Sequence, residues 1–304
     1  MEFRTIVDIP KPGFQIEPLE PILFVGSCFT DSIGKRFQEE HFPVTINPYG
    51  VMYNPASVHH TIFRFYESQQ LSARSNGTLA QARTVFITLG TNHVYRLKET
   101  GEIVDNCQKR PQRLFQEEEL SVDQCADYLL KTIELLLNRN PQTHIVLTVS
   151  PIRYAKYGFH GSQMSKATLL LAVDKVLSQS SLLPLPPTTT PDGSPSATTP
   201  DASASGISYF PAYEIILDEL RDYRFYQSDM IHPSEQAVEY IWQQLVDAYF
   251  SPRAKHFLKE WKPIKDALRH RPFHPESDEY QEFLKQTLLN EKELLASYNI
   301  NSRQ

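Results

Sequence analysis

The chain has 304 residues, 40% of them apolar and 22% charged, and 30 Lys/Arg against 36 Asp/Glu leave a net charge of −6 at pH 7. This is the make-up of a folded globular protein, one generous domain or a domain with an appendage, and it excludes a disordered chain. No uncharged apolar run approaches the length of a membrane span, and the acidic balance offers no general reason for nucleic-acid binding.

The N-terminus "MEFRTIVDIPKPGF" has no apolar stretch of the kind that directs secretion, so no Sec signal peptide is expected. "ILFVG" at 22–26 reads as a strand, and "TDSIGKRFQEE" after it as a helix that Thr30 or Asp31 would cap. "TVFITLG" at 84–90 is a continuous apolar run ending in Gly, as expected of a strand buried on both faces. "VYRLKETGEIVDN" predicts a hairpin turning at Thr100–Gly101. Apolar residues at Val122, Cys125, Ala126, Leu129, Leu130, Ile133 and Leu137 are spaced for a helix behind a Ser121 cap. "HIVLTVS" at 144–150 predicts another buried strand and "KATLLLAVDKVL" another helix. "GISYF" reads as a short strand, "AYEIILDELRDY" as helix, and a further helix starts at Pro233–Ser234.

Strands alternating with helices predict a mostly parallel sheet covered on both faces, with ligands at the carboxyl ends of the strands. Residues 1–250 form this α/β domain in our reading, and 251–304 a helical C-terminal extension ending in one amphipathic helix. Within 253–271 seven Lys/Arg stand against two acidic residues, which reads as a solvated helix face. The Pro/Thr/Ser/Ala-rich stretch 183–206 has almost no apolar bulk to offset its ordering entropy and is expected to be a disordered insert.

The chemistry-bearing residues lie just after the strands. "GSC" places two nucleophiles, Ser27 and Cys28, on a sharp strand-to-helix turn, where the helix N-terminus favours developing negative charge. Cys28 is intrinsically the better nucleophile at neutral pH; its bland role is that of a small apolar group packed under the helix. "TLGTNH" supplies Asn92, whose amide can donate to an oxyanion, a type of contact worth about 3–4 kcal/mol. The alternative for Asn92 is a turn closing onto the hairpin. Gly50 in "NPYGVMYNP" offers an N–H for the same purpose, or is an ordinary turn. "QSDMIHPS" sets Asp229 three residues before His232, so that the carboxylate could hold the imidazole in one tautomer. Thr91 and His93 flank Asn92 as candidate pocket residues, and Arg153 after the third strand could grip a carboxylate or phosphate. The three cysteines, Cys28, Cys107 and Cys125, fit no zinc spacing, and His59–His60 has no ligand partners at metal spacing. No metal and no cofactor is expected, and the odd cysteine count suits a reduced, cytoplasmic setting.

The order Gly-Ser, Gly, Gly-x-Asn, Asp-x-x-His-Pro resembles the four blocks of the SGNH (GDSL-like) hydrolases, and "VGSCFTDSIGKRF" resembles the signature of the GSCFA-domain family within them. "NPYGVMYNP", "ITLGTNHVYRLKETGEIVDNC", "TVSPIRY", "GSQMSKATLLLA" and "YFPAYEIILDELRDYRFYQSDMIHPS" extend the likeness over roughly residues 20–275. The resemblance implies a three-layer α/β fold of SGNH type and an esterase. Ser27 would be the nucleophile, His232 the base and Asp229 its orienting acid. The N–H groups of Ser27, Cys28 and Gly50 and the Asn92 amide would form the oxyanion hole. The implied substrate is a small-molecule or carbohydrate acyl ester, with no nucleic-acid or membrane partner. Acyl transfer by the same triad, a catalytically silent ligand-binding module, and a platform that docks a partner through the C-terminal helix remain open beside it. Beside the family pattern 61–83 is short, which implies a missing or rebuilt pocket wall, and the 183–206 insert is no family feature.

Overall fold

A computed structural model describes residues 4–76, 82–105, 107, 110–180 and 206–300. Except for Gly206, the low-complexity stretch 183–206 lies outside them. The first strand, β1 (Ile22–Gly26), leads into α1 (Cys28–Glu39) and then β2 (Val44–Ile46), α2 (Pro55–Asn76) and β3 (Thr84–Leu89). A small antiparallel sheet follows, built of β4 (His93–Leu97), β5 (Ile103–Val104) and β6 (Phe115–Glu119). After it come α3 (Val122–Arg139), β7 (His144–Val149), α4 (Gly158–Ser180) and β8 (Ile207–Tyr209). A helical turn, α5 (Ala212–Glu214), passes directly into a π-helical turn over Ile215–Glu219, and α6 (Glu235–Tyr249), α7 (Pro252–Arg269) and α8 (Asp278–Ile300) complete the chain.

The main sheet is parallel throughout in the order β2-β1-β3-β7-β8, so the chain winds outward in both directions from β1 and β3. That reversal opens a crevice at the carboxyl ends of these two strands. The side-chain period of two splits each strand between two apolar clusters. Phe24, Phe86 and Val146 face Phe29, Ile33 and Phe37 of α1 and Ile241, Trp242 and Leu245 of α6. Leu23, Val25, Val85, Ile87, Ile145 and Leu147 face Ile62 of α2, Leu129, Ile133 and Leu136 of α3, and Leu169 and Val173 of α4. The result is the three-layer, mostly parallel α/β architecture expected, with a helical C-terminal region. No helix among the described residues is long and apolar enough to cross a membrane.

Several local expectations change. The first helix begins at Cys28, two residues ahead of the expected cap, because Ser27 already holds extended dihedrals (φ −69°, ψ 175°) and its carbonyl accepts the Thr30 N–H at 2.8 Å. Thr30 is therefore buried in the first turn, and the Asp31 carboxylate accepts from Asn47 Nδ2 at 2.7 Å, so neither caps the helix. Ser121 does cap α3, in a reciprocal pair with Gln124. The helix expected over 212–223 is only α5 and its π turn. The basic run of α7 is solvated in part, but Lys265 pairs with Glu40, and Arg269 with Glu39 at 3.0 Å, at the end of α1.

Candidate active site

The functional candidates lie on the segments that follow parallel strands and on the loop before α6. At the end of β1, Gly26 has φ +151°, and a Cβ there would stand 2.2 Å from Thr88 O, so no other residue fits without displacing β3. Its N–H is received by the side chain of Asn47 at 2.9 Å, and its carbonyl accepts the Met52 N–H at 2.9 Å. Ser27 follows on this clamped turn, 1% exposed, and its Oγ is buried without a hydrogen-bond partner. A buried hydroxyl left unpaired loses its bonds to water and regains none, so such a group calls for an explanation. Cys28 opens α1 half-buried against the apolar cluster beneath, with Sγ 3.4 Å from the Tyr53 hydroxyl.

At the end of β3, the carbonyl of Tyr53 accepts both the Gly90 N–H (2.7 Å) and the Thr91 N–H (2.8 Å). The Thr91 hydroxyl meets Ser165 Oγ at 2.9 Å, and Ser165 Oγ also accepts the Asn92 N–H at 3.0 Å. Asn92 is 2% exposed; its Nδ2 donates to Leu120 O at 2.8 Å, while its Oδ1 is buried and unpaired. His93 stacks on Tyr157 at 3.6 Å, and burial lowers its pKa against the pull of Glu119 and Glu117. Beneath Gly90 lies Lys166, 2% exposed, with Nζ donating to Gly90 O at 2.7 Å and no carboxylate partner among the described residues. Burial without a counter-ion pulls its pKa down to about 7.

The third group is on the loop before α6. Asp229 Oδ2 is 2.6 Å from His232 Nδ1, and Oδ1 accepts the N–H of Ile231 at 2.9 Å and of His232 at 3.0 Å. These bonds, first the His232 N–H, then its ring nitrogen and the Ile231 N–H, hold the carboxyl well below the usual range, at about 2. With a carboxylate accepting at Nδ1, Nε2 is the nitrogen left to take a proton. Arg153 braces this loop from β7: its N–H goes to Ile231 O and its guanidinium to Met230 O, both at 3.1 Å. The guanidinium lies 4.0 Å over Phe159 and 5.4 Å from the Tyr226 ring.

The structure thus joins Asp229 to His232, joins Thr91 and Asn92 through Ser165, and packs Cys28 and Ile231 on one apolar cluster. It shows no hydrogen bond between His232 and Ser27. Two of the four expected oxyanion donors are already engaged: the Ser27 N–H bonds Thr88 O at 3.1 Å and the Gly50 N–H bonds Asn47 O at 2.8 Å. The donors left near the Ser27 turn are those at the head of α1, beginning with Cys28, and the second amide proton of Asn92. Among the described residues no three His, Cys, Asp or Glu side chains gather as a metal site: His60 pairs with Asp105 and His59 meets Thr132. Sequence reasoning missed Asn47, Tyr53, Ser165 and Lys166, which position the two strand ends.

The profile of the GSCFA family matches residues 21–76 and 66–245, and that of the GSCFA domain protein, C-terminal domain, matches 261–302. No curated protein matches the chain. Among solved structures, a member of the lipolytic protein G-D-S-L family from Veillonella parvula is similar at 12% identity and TM-score 0.43, over 76% of this chain and 98% of that one. A mutant acetyl esterase solved with acetate ion is similar at 11% and 0.40, over 79% and 98%. A carbohydrate esterase family 3 protein from Talaromyces cellulolyticus is similar at 11% and 0.39, over the same shares. With matched segments running through more than half of its length, this chain belongs to the GSCFA family.

Proposed function

We propose that the protein is a serine-dependent hydrolase of acyl esters. The observation that carries this reading is the Asp229–His232 pair, in which three hydrogen bonds to one carboxylate fix the imidazole with Nε2 free to act as a base. A buried, unpaired Ser27 Oγ at the head of a helix supports it. In this reading His232 Nε2 takes the proton of Ser27 as Oγ attacks the acyl carbonyl. The oxyanion is received by the Cys28 N–H, where the helix dipole favours negative charge, and by the Asn92 amide. His232 then protonates the departing alcohol, and water, deprotonated by His232, releases the acid from Ser27. Because Ser27 is 1% exposed, the side chains around it must move to admit a substrate, so acylation includes an opening step.

Hydrolysis of p-nitrophenyl acetate tests the assignment. Wild type releases acid and alcohol in equal amounts, and Ser27→Ala and His232→Ala each lose at least about 10³-fold in kcat. Turnover that survives Ser27→Ala contradicts it.

A further inference from the structure

A hollow of about 280 Å³ lies where β7 and β8 end, between 151–153, the first turns of α4, and the α5–π segment with the loop after it. Lys166, Arg153 and Arg221 reach it, and Phe159, Tyr213 and Tyr226 are among its walls. Lys166 is the informative residue. It is 2% exposed and spends one N–H on Gly90 O, and its ammonium sees two rings, of Tyr154 and Tyr213, at 5.8 Å. A buried cation with no carboxylate is costly, and an apolar side chain of the same shape would serve the fold better. Arg153 and Arg221 likewise meet no carboxylate among the described residues. The one acidic lining residue, Asp222, is turned to Arg224, accepting its N–H at 2.9 Å with Arg224 Nε 4.0 Å away. Three basic groups with unspent donors, set among aromatic walls, make a receptor for an anion.

Two residues that line the hollow also hold the segments that carry the catalytic candidates. Arg153 holds the loop that carries Asp229 and His232, and Lys166 holds Gly90, two residues before Asn92. Ligand cavities commonly run from ~300 Å³ upward, so this one suits a single group on a ring or short chain rather than a whole large substrate. We propose that it is a subsite for a carboxylate or phosphate carried by the substrate, bound by Lys166, Arg153 and Arg221. This deepens the ester-hydrolase reading and rests on it only in calling the ligand a substrate.

NMR titration of benzoate and of phenyl phosphate into the full-length Ser27→Ala chain, with benzamide as the neutral control, tests it. The expected result is saturable binding of at least one anion and none of benzamide. Arg221→Gln should weaken that binding about tenfold or more, as the loss of a charge-assisted hydrogen bond does. Lys166→Met should weaken it at least as much. Preference for benzoate assigns a carboxylate, and preference for phenyl phosphate a phosphate. The Arg221 side chain holds no described contact in the fold, so its variant remains readable even if Lys166→Met fails to fold. Saturable binding of neither anion, equal binding of benzamide, or binding untouched by Arg221→Gln overturns the proposal. Turnover is absent from this assay: anion binding without any Ser27 reactivity would sink the hydrolase and keep the site, and a reactive Ser27 without anion binding would do the reverse.

Discussion

Gly26 sets the geometry on which the Ser27 turn depends. An added methyl would lie 2.2 Å from Thr88 O and 2.8 Å from Thr88 N, both backbone atoms of the neighbouring strand, at a φ of +151° that side-chain-bearing residues rarely adopt. Gly26→Ala should therefore cost roughly 3 kcal/mol or more, or prevent folding, because strain and overpacking add. Chemical denaturation measures it, and a loss under about 1 kcal/mol would mean that the strand gives way easily. Asp229 is the other residue with a sharp signature. Its pKa is depressed from the ordinary 3.8 to about 2, so its bonds to the His232 and Ile231 amides are fully present above pH 3.8 and vanish only as the pH falls through 2. NMR of those two amides should show a shared transition near pH 2. A midpoint near 3.8 would mean that the carboxylate is not held as described. Both residues stood out in the sequence, Gly26 before a serine and Asp229 three places ahead of a histidine. Asn47, which clamps Gly26 at 2.9 Å, did not, because its role depends on β2 lying beside β1.

Elements were legible where burial was two-sided or the apolar spacing regular. β3 and β7 are buried along most of their length and read as unbroken apolar runs, and α3 shows its buried stripe at Cys125, Leu129, Ile133 and Leu136. β2 has two half-covered residues on either side of the exposed Thr45, and β6 is "FQEEE" with only Phe115 buried, so neither carries a hydrophobic pattern. β6 is held instead by its ladder to β4, by Arg96 on Glu118 at 3.1 Å, and by Lys156 on Glu117 at 2.7 Å. α2 hides its buried Ala56, Val58 and Ile62 among polar neighbours that include His59 and His60. The π turn over 215–219 leaves a normal helical spacing in the sequence and shows only in the backbone. α8 packs on α7: Tyr298, 8% exposed, meets Phe257 at 5.0 Å, its hydroxyl is 2.7 Å from Glu260, and its carbonyl accepts from Arg253 at 3.0 Å. Tyr298→Ala should destabilise the chain by about 3 kcal/mol, as large-to-small changes in packed sites do. An unchanged unfolding midpoint would show that α8 contributes little to the fold.

At the scale of the whole molecule, the sheet order brings distant segments to one end of the sheet. Winding outward from β1 and β3 sets the Ser27 turn and the Gly90–Asn92 turn side by side, and the chain returns through α6, on the α1 side, with Asp229 and His232 on the loop before it. The order of the motifs pointed to this arrangement, but the state of the site did not follow from it. A sequence does not show that the Ser27 and Gly50 N–H groups are already bonded, or that the Ser27 hydroxyl is covered, because both depend on how the loops close over the strand ends. The central claim, an activated Ser27, is tested most directly by intact-mass analysis after treatment with a small fluorophosphonate, on wild type, Ser27→Ala and His232→Ala. One adduct is expected on wild type, mapped to Ser27, forming slowly enough to report the opening step, and absent from both variants. An adduct on Cys28, or none on any of the three, would contradict it.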